Sequence, residues 1–213
     1  LVLVDGDLVE ETNRSRIVLA TPDDVGARKV DVAARYVGLV NPRVEVDTQP
    51  HFVRSASDLG ELASCDVIFS AVDKHTPRAL LNRLAYEALV PVIDMGSAFR
   101  VDDVGRMVSE GGRVVVLGPG RPCLACWGHI NSAALREEAL SDDARDAERE
   151  DGYIQGANVP EPSVIAFNTA IAGMAVVEFL RLVTGFAGAE NPPNRLGFSF
   201  TEGSVRRNGL ASK

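Results

Sequence analysis

The residues best placed for chemistry are carboxylates at the ends of apolar runs and one pair of closely spaced thiols. Asp5 and Asp7 close the run Leu1–Val4, and Asp73 closes Asp66–Val72. In a doubly wound sheet, functional groups gather at the carboxyl ends of the strands, where an acidic residue can accept hydrogen bonds from ribose hydroxyls. That placement points toward a nucleotide, and it equally suits aspartates that only cap the next turn or helix. Cys123-x-x-Cys126 follows a Pro-Gly turn with the spacing of half a zinc knuckle, two thiolates for an ion that needs four ligands. Cys65, just before an apolar run, reads as a core thiol.

The elements that must hold these residues are legible from pattern. Leu1–Val4 is a short apolar run of the kind buried on both faces of a parallel sheet. Such strands are fed by crossover elements, so the expectation is that an element preceding Leu1 is missing. Thr21-Pro22-Asp23-Asp24 supplies a cap, a proline at the first helical position and a reciprocal acid, which predicts a helix. Val30, Ala33, Ala34 and Val37 then share one helical face, and Gly38 with Asn41-Pro42 closes it. Val44–Thr48 alternates like a strand. Asp66–Val72 predicts another buried strand, Thr76-Pro77 opens a helix to about Leu89, and Val90–Asp94 repeats the strand. Strands alternating with helices in this way make a parallel, doubly wound sheet.

Beyond Gly105 the spacing tightens. Gly105–Ser109 and Arg113–Leu117 read as two strands of a hairpin turning at a glycine pair, so antiparallel strands join the sheet. Glu137–Asp151 is an acidic, solvated crossover or exposed helix. Pro162 introduces an apolar helix over Val164–Val183, expected to be buried, and Leu196–Phe200 is the closing strand.

Composition excludes several roles. The chain has 213 residues and a formal charge of −8, with a pI near 4.9, which argues against a broad nucleic-acid footprint and so against DNA. Three cysteines, an odd number, do not make a secreted disulfide framework and suit a reducing, cytoplasmic setting. The uncharged stretch Ser163–Val177 is shorter than the roughly 20 residues that span a bilayer, so no membrane partner is expected.

The run Asp5-x-Asp7-x-Val9-Glu10-x-x-Asn13-x-x-Arg16, with Lys29 thirteen residues on and then Asp73-x-x-x-x-Arg78-x-x-x-Asn82, resembles the ThiF/MoeB/HesA family of adenylating enzymes, relatives of the ubiquitin-activating enzymes. Asn41-Pro42 and Pro119-Gly120-x-Pro122-Cys123-x-x-Cys126 extend the resemblance over most of the chain. It implies a Rossmann-like, doubly wound α/β sheet, mostly parallel with antiparallel strands added in the C-terminal half. Residues 1–213 would form one adenylation domain lacking its first strand and glycine loop. By the same resemblance Asp5 would bind the ATP ribose, Asn13, Arg16 and Lys29 would contact the phosphates, and Asp73 would hold Mg2+. Arg16 and Asp73 would be the catalytic pair. Cations suit this chemistry, because a carboxylate attacking the α-phosphorus must approach a polyanion and expel pyrophosphate.

The implied substrate is the C-terminal carboxylate of a ubiquitin-like sulfur-carrier protein ending in Gly-Gly, and family members are commonly homodimers. Zn2+ at Cys123 and Cys126 would be completed by cysteines beyond Lys213 or by His129 and another group; otherwise the pair binds no zinc. Lys74 after Asp73 and Ile17 after Arg16 depart from the family's usual asparagine and glutamine. Two rival readings are a non-catalytic scaffold that presents a carrier protein and a nicotinamide-dependent dehydrogenase.

Overall fold

The computed structural model describes residues 1–18, 20–101, 107–141, 164–188 and 194–208. These fall into two compact units, the first made chiefly of Leu1–Asp58 and the second running from Leu59.

In the first unit, β1 (Val2–Val4) pairs in parallel with β2 (Asp47–Gln49), Val2 facing Asp47 and Val4 facing Gln49. Between them lie α1 (Glu11–Arg14), a 3-10 turn over Pro22–Asp24, and α2 (Lys29–Val40). The residues of β1 are half-buried rather than buried on both faces. The predicted capping box forms, with the Thr21 and Asp24 side chains each taking the other's backbone N–H, yet the helix does not follow at once. Val25 is extended and Gly26 has φ +90°. The chain instead turns back on residues 7–9: Gly26 N–H donates to Val9 O and Val9 N–H to Ala27 O, both at 2.8 Å, and Lys29 N–H donates to Asp7 O at 3.0 Å. Backbone groups that would have continued the helix are satisfied there. From Lys29 the helix is as expected, with Val30 buried and Ala33, Ala34 and Val37 partly so.

The second unit holds β3 (Ile68–Ser70), α3 (His75–Glu87), β4 (Val92–Val101), β5 (Met107–Leu117), α4 (Ser132–Ala139), α5 (Ile165–Thr184), β6 (Arg195–Ser199) and β7 (Ser204–Asn208). Its sheet runs in the order β3-β4-β5-β6-β7, the first pair parallel and the rest antiparallel. The mixed α/β architecture, with antiparallel strands added in the C-terminal half, is the one expected. In β3, Ile68 and Ser70 are buried while Phe69 is exposed, so the strand alternates where a fully buried one was read. Leu196–Phe200 is not the last strand, since Gly203 at φ +63° turns the chain into β7.

The glycine pair Gly111-Gly112 makes no turn. It lies inside β5, which is one continuous strand against β4. Both glycines are there for close approach: a Cβ on Gly111 would stand 2.5 Å from the Phe198 carbonyl oxygen, and one on Gly112 would overlap the Ile171 side chain. Gly105 and Pro162 lie outside the described residues, as does most of Glu137–Asp151.

One face of the sheet carries the core, with Ile93, Val114, Val116, Leu196 and Phe198 packed on Ile171 and Ala175 of α5. That helix is not buried as a whole. Ile165, Val176, Leu180 and Val183 are exposed. It is long and apolar enough to cross a bilayer, yet Ile171 and Ala175 dock on the sheet and Glu178 pairs with Arg207 of β7 at 2.6 Å.

Two glycine substitutions should move stability in opposite directions. Gly111→Ala must push β6 away and should cost about 1–3 kcal/mol. Gly173→Ala, in mid-helix with no atom near the added Cβ, should gain roughly 0.5–1 kcal/mol. Urea unfolding of both proteins checks the pair.

Candidate functional site

In the first unit the loop from Asp5 to Arg16 is ordered by its own polar groups. Asp5 Oδ1 accepts from Asp7 N–H at 2.8 Å, leaving Oδ2 open at the end of β1. Asn13 is buried and engaged: Oδ1 accepts from Glu10 N–H at 2.8 Å and Nδ2 donates to Leu8 O at 3.2 Å. These contacts bend the loop and bring Arg16 to its surface, where the exposed guanidinium makes one bond, to Thr12 O at 3.1 Å. Lys29, the first residue of α2, is held by Asp7 at 2.7 Å. The structure thus gathers Asp5, Asn13, Arg16 and Lys29 in one loop-and-helix unit, and adds Asp7, to which the sequence assigned no role.

In the second unit Asp73 stands in the turn between β3 and α3. A carboxylate placed there invites the reading of a helix cap, but the cap comes from elsewhere. Glu138 of α4 reaches across and accepts from His75 N–H at 2.8 Å and Thr76 N–H at 2.7 Å. Partial burial works to raise the Glu138 carboxyl, and the bonds from Thr76 and His75 overcome it and hold the group below its usual range. Asp73 is exposed and bonds no described side chain.

Behind that turn lies a buried charged network. Asp94 of β4 has no exposed surface. Its Oδ1 accepts from Ser70 Oγ at 3.1 Å and Arg78 Nε at 3.2 Å, and its Oδ2 from Arg113 at 3.3 Å. Arg78 also donates to the carbonyl of Val72, the residue before Asp73. The motif residue Arg78 therefore supports the Asp73 turn from below. Asn82, the other motif residue, accepts from Leu124 N–H at 2.9 Å, and Tyr86 one turn on donates to Arg121 O at 3.1 Å. With Asn194 donating to Pro122 O at 2.7 Å, these side chains fix the cysteine loop between α3 and the start of β6.

Cys123 and Cys126 are free thiols with Sγ atoms 2.8 Å apart. Burial pushes the Cys123 thiol up, while the hydrogen bond from Cys123 pulls the exposed Cys126 down. Among the described residues no third histidine, cysteine or carboxylate joins them, so they amount to half a structural zinc set. His129 turns away from that task, its Nε2 accepting from Arg195 Nε at 3.2 Å. Burial, with Arg113, Arg195 and Arg78 around it, holds His129 down to about 4. Cys65 is half-buried at the end of the turn Leu62–Ser64 rather than in the core.

The parallel pair of the first unit and the mixed sheet of the second, each with its helices, define a Rossmann-like α/β protein. The ThiF family model matches residues 1–213, and the chain belongs to the ThiF family. It is 32% identical over 126 residues to the SAMP-activating enzyme E1 of Haloferax volcanii, covering 59% of this chain and 43% of that protein. It is 29% identical over 184 residues to the adenylyltransferase and sulfurtransferase UBA4 of Meyerozyma guilliermondii, covering 86% of this chain and 37% of that one. The chain therefore spans about two fifths of these relatives. Among solved structures, E. coli MccB with ATP superposes over the whole chain and 57% of its own length, with a TM-score of 0.71 at 18% identity, a likeness of fold.

Two outcomes test the site as built. Glu138→Ala should cost about 1 kcal/mol by uncapping α3, while Asp73→Ala should change stability by less than about 0.5 kcal/mol. Chemical denaturation separates the two roles. His129 is neutral when folded and ordinarily takes its proton near 6.5. Its contribution to stability is present above that value and is lost as pH falls toward about 4. His129→Gln should flatten that part of the stability curve, and an unchanged slope would show that another group sets it.

Proposed function

We propose that this chain is the adenylating part of a larger protein and joins a C-terminal carboxylate to AMP. The carboxylate oxygen attacks the α-phosphorus of ATP, the bond to the β-phosphate oxygen breaks, and acyl-adenylate and pyrophosphate result. The observation that carries the reading is the unengaged Asp73 carboxylate at the end of β3, left exposed because Glu138 does the capping. A hard oxygen donor so placed suits Mg2+, which commonly takes one or two protein carboxylates alongside phosphate oxygens and water. That ion would supply charge neutralisation for the departing pyrophosphate.

The chain's own residues divide the remaining work. The free Oδ2 of Asp5 suits a ribose hydroxyl. Arg16 and Lys29 suit the phosphates, with Asp7 presenting the Lys29 ammonium at the start of α2. Asn13, spent on Glu10 and Leu8, positions the loop and retains one amide N–H for a phosphate oxygen. No step is assigned to zinc.

The activating enzyme and sulfurtransferase relatives favour a ubiquitin-like sulfur-carrier protein ending in Gly-Gly as the acyl substrate, and the solved complex of E. coli MccB with MccA makes a peptide the runner-up. The exposed apolar flank of α5 supports a homodimer.

The test is ATP–pyrophosphate exchange with a purified carrier ending in Gly-Gly. Exchange should require both carrier and Mg2+, and Asp73→Ala and Arg16→Ala should each lower kcat/KM at least about a hundredfold. Carrier binding without exchange would put the scaffold reading in its place.

A further inference from the structure

On the sheet face opposite α5, Arg78, Arg113 and Arg195 gather around the imidazole of His129. Arg113 of β5 pairs in register with Gly96 on one side and Gly197 on the other. Arg195 is two residues from Gly197 in β6, so it is a diagonal neighbour on the same face. The glycines leave room for both guanidinium groups: a Cβ on Gly96 would stand 3.0 Å from Arg113, and one on Gly197 would stand 3.6 Å from Arg195. Arg78 approaches from α3. Arg78 and Arg113 both pair with Asp94, and Arg195 holds His129, which is neutral at pH 7, so among the described residues this cluster of three guanidinium groups contains one carboxylate.

Two donors in this cluster have no acceptor. Arg113 Nε is buried and unpartnered, although the side chain is only 14% exposed, and so is Trp127 Nε1. The Arg195 guanidinium lies over the Trp127 ring, 5.5 Å from its centroid, while its Nε holds His129. A buried donor left unmade costs about 1–3 kcal/mol, and surplus guanidinium charge in a dry setting costs more. Both costs are removed by an acceptor with two oxygens and a negative charge. A carboxylate has that form, and it matches the planar donor edge of arginine. The cluster begins next to the Asp73 turn, since Arg78 bonds both Asp94 and Val72.

We propose that Arg113, Arg195 and the Trp127 indole N–H form a carboxylate-binding site for the tail of the acyl substrate. The proposal rests on the adenylation reading for the identity of the tail, and it makes Arg113 a determinant of which tails are accepted. The carboxylate is either the tail's own C-terminus before activation or an acidic side chain just upstream of it.

Trp127 is the chain's one tryptophan and so reports directly on the site. N-acetyl-Gly-Gly, N-acetyl-Glu-Gly-Gly-amide and the neutral N-acetyl-Gly-Gly-amide are titrated into the protein at constant ionic strength without nucleotide, and its emission is followed. A saturable change is expected with a carboxylate peptide and not with the neutral amide, and whichever peptide gives it names the source. Arg113→Gln and Arg195→Gln should each weaken binding about tenfold or more, whereas Arg83→Gln, on the exposed side of α3, should leave it unchanged. Arg113→Gln also takes a partner from Asp94; should it fail to fold, Trp127→Phe followed by calorimetry gives the same comparison. The inference is overturned if the neutral amide or inorganic phosphate matches the carboxylate peptides, or if folded variants bind as the parent does. Nucleotide is absent, so failed pyrophosphate exchange would not disturb this result, and successful exchange with no peptide binding would sink this inference alone.

Discussion

Asp94 has no exposed surface, and Ser70, Arg78 and Arg113 all donate to it. Those donors belong to β3, α3 and β5, while Asp94 itself is in β4, so one carboxylate ties together three adjacent strands and the helix over them. Removing one partner of such a buried pair typically costs about 3–5 kcal/mol, because the remaining charge is stranded. The network therefore sets the register of the second unit more strictly than apolar packing alone would. The Asp73 turn, just beyond β3, inherits its position from this anchor through the bond from Arg78 to Val72.

The two faces of the same sheet do different work. Toward α5 it is apolar, with Gly112 admitting the Ile171 side chain to close contact. On the opposite face Gly96 and Gly197 make room for guanidinium groups instead. Glycine thus serves dense packing on one side and charged side chains on the other. Alternation along β4, β5 and β6 keeps the two environments apart, since neighbouring residues point to opposite faces.

Much of this was legible in the sequence, and the misses have physical causes. The α3 helix was visible from its local pattern, but it begins at His75, ahead of Thr76-Pro77, because Glu138 rather than Thr76 satisfies its first N–H groups. The cap and proline signals at Thr21-Pro22 predicted a helix too early, because residues 7–9 compete for those backbone groups, a long-range effect invisible in the pattern. Gly111-Gly112 looked like a turn because glycine's permissiveness has two uses, and only neighbours from β6 and α5 show which applies. The motif residues could be recognised from spacing, but the division of labour among them could not. Arg78 and Asn82 support the turn and the cysteine loop, and Glu138 caps α3 from sixty-odd positions away along the chain.

That borrowed cap has an evolutionary reach. A helix that supplies its own N-cap constrains the residues just before it, since most changes there weaken its start. Here the start of α3 is secured by α4, and the linker between β3 and α3 is released from that duty. Lys74, an exposed charged residue beside Asp73, is one that such a linker can absorb. The turn is free to drift in charge and shape while the scaffold beneath it stays the same.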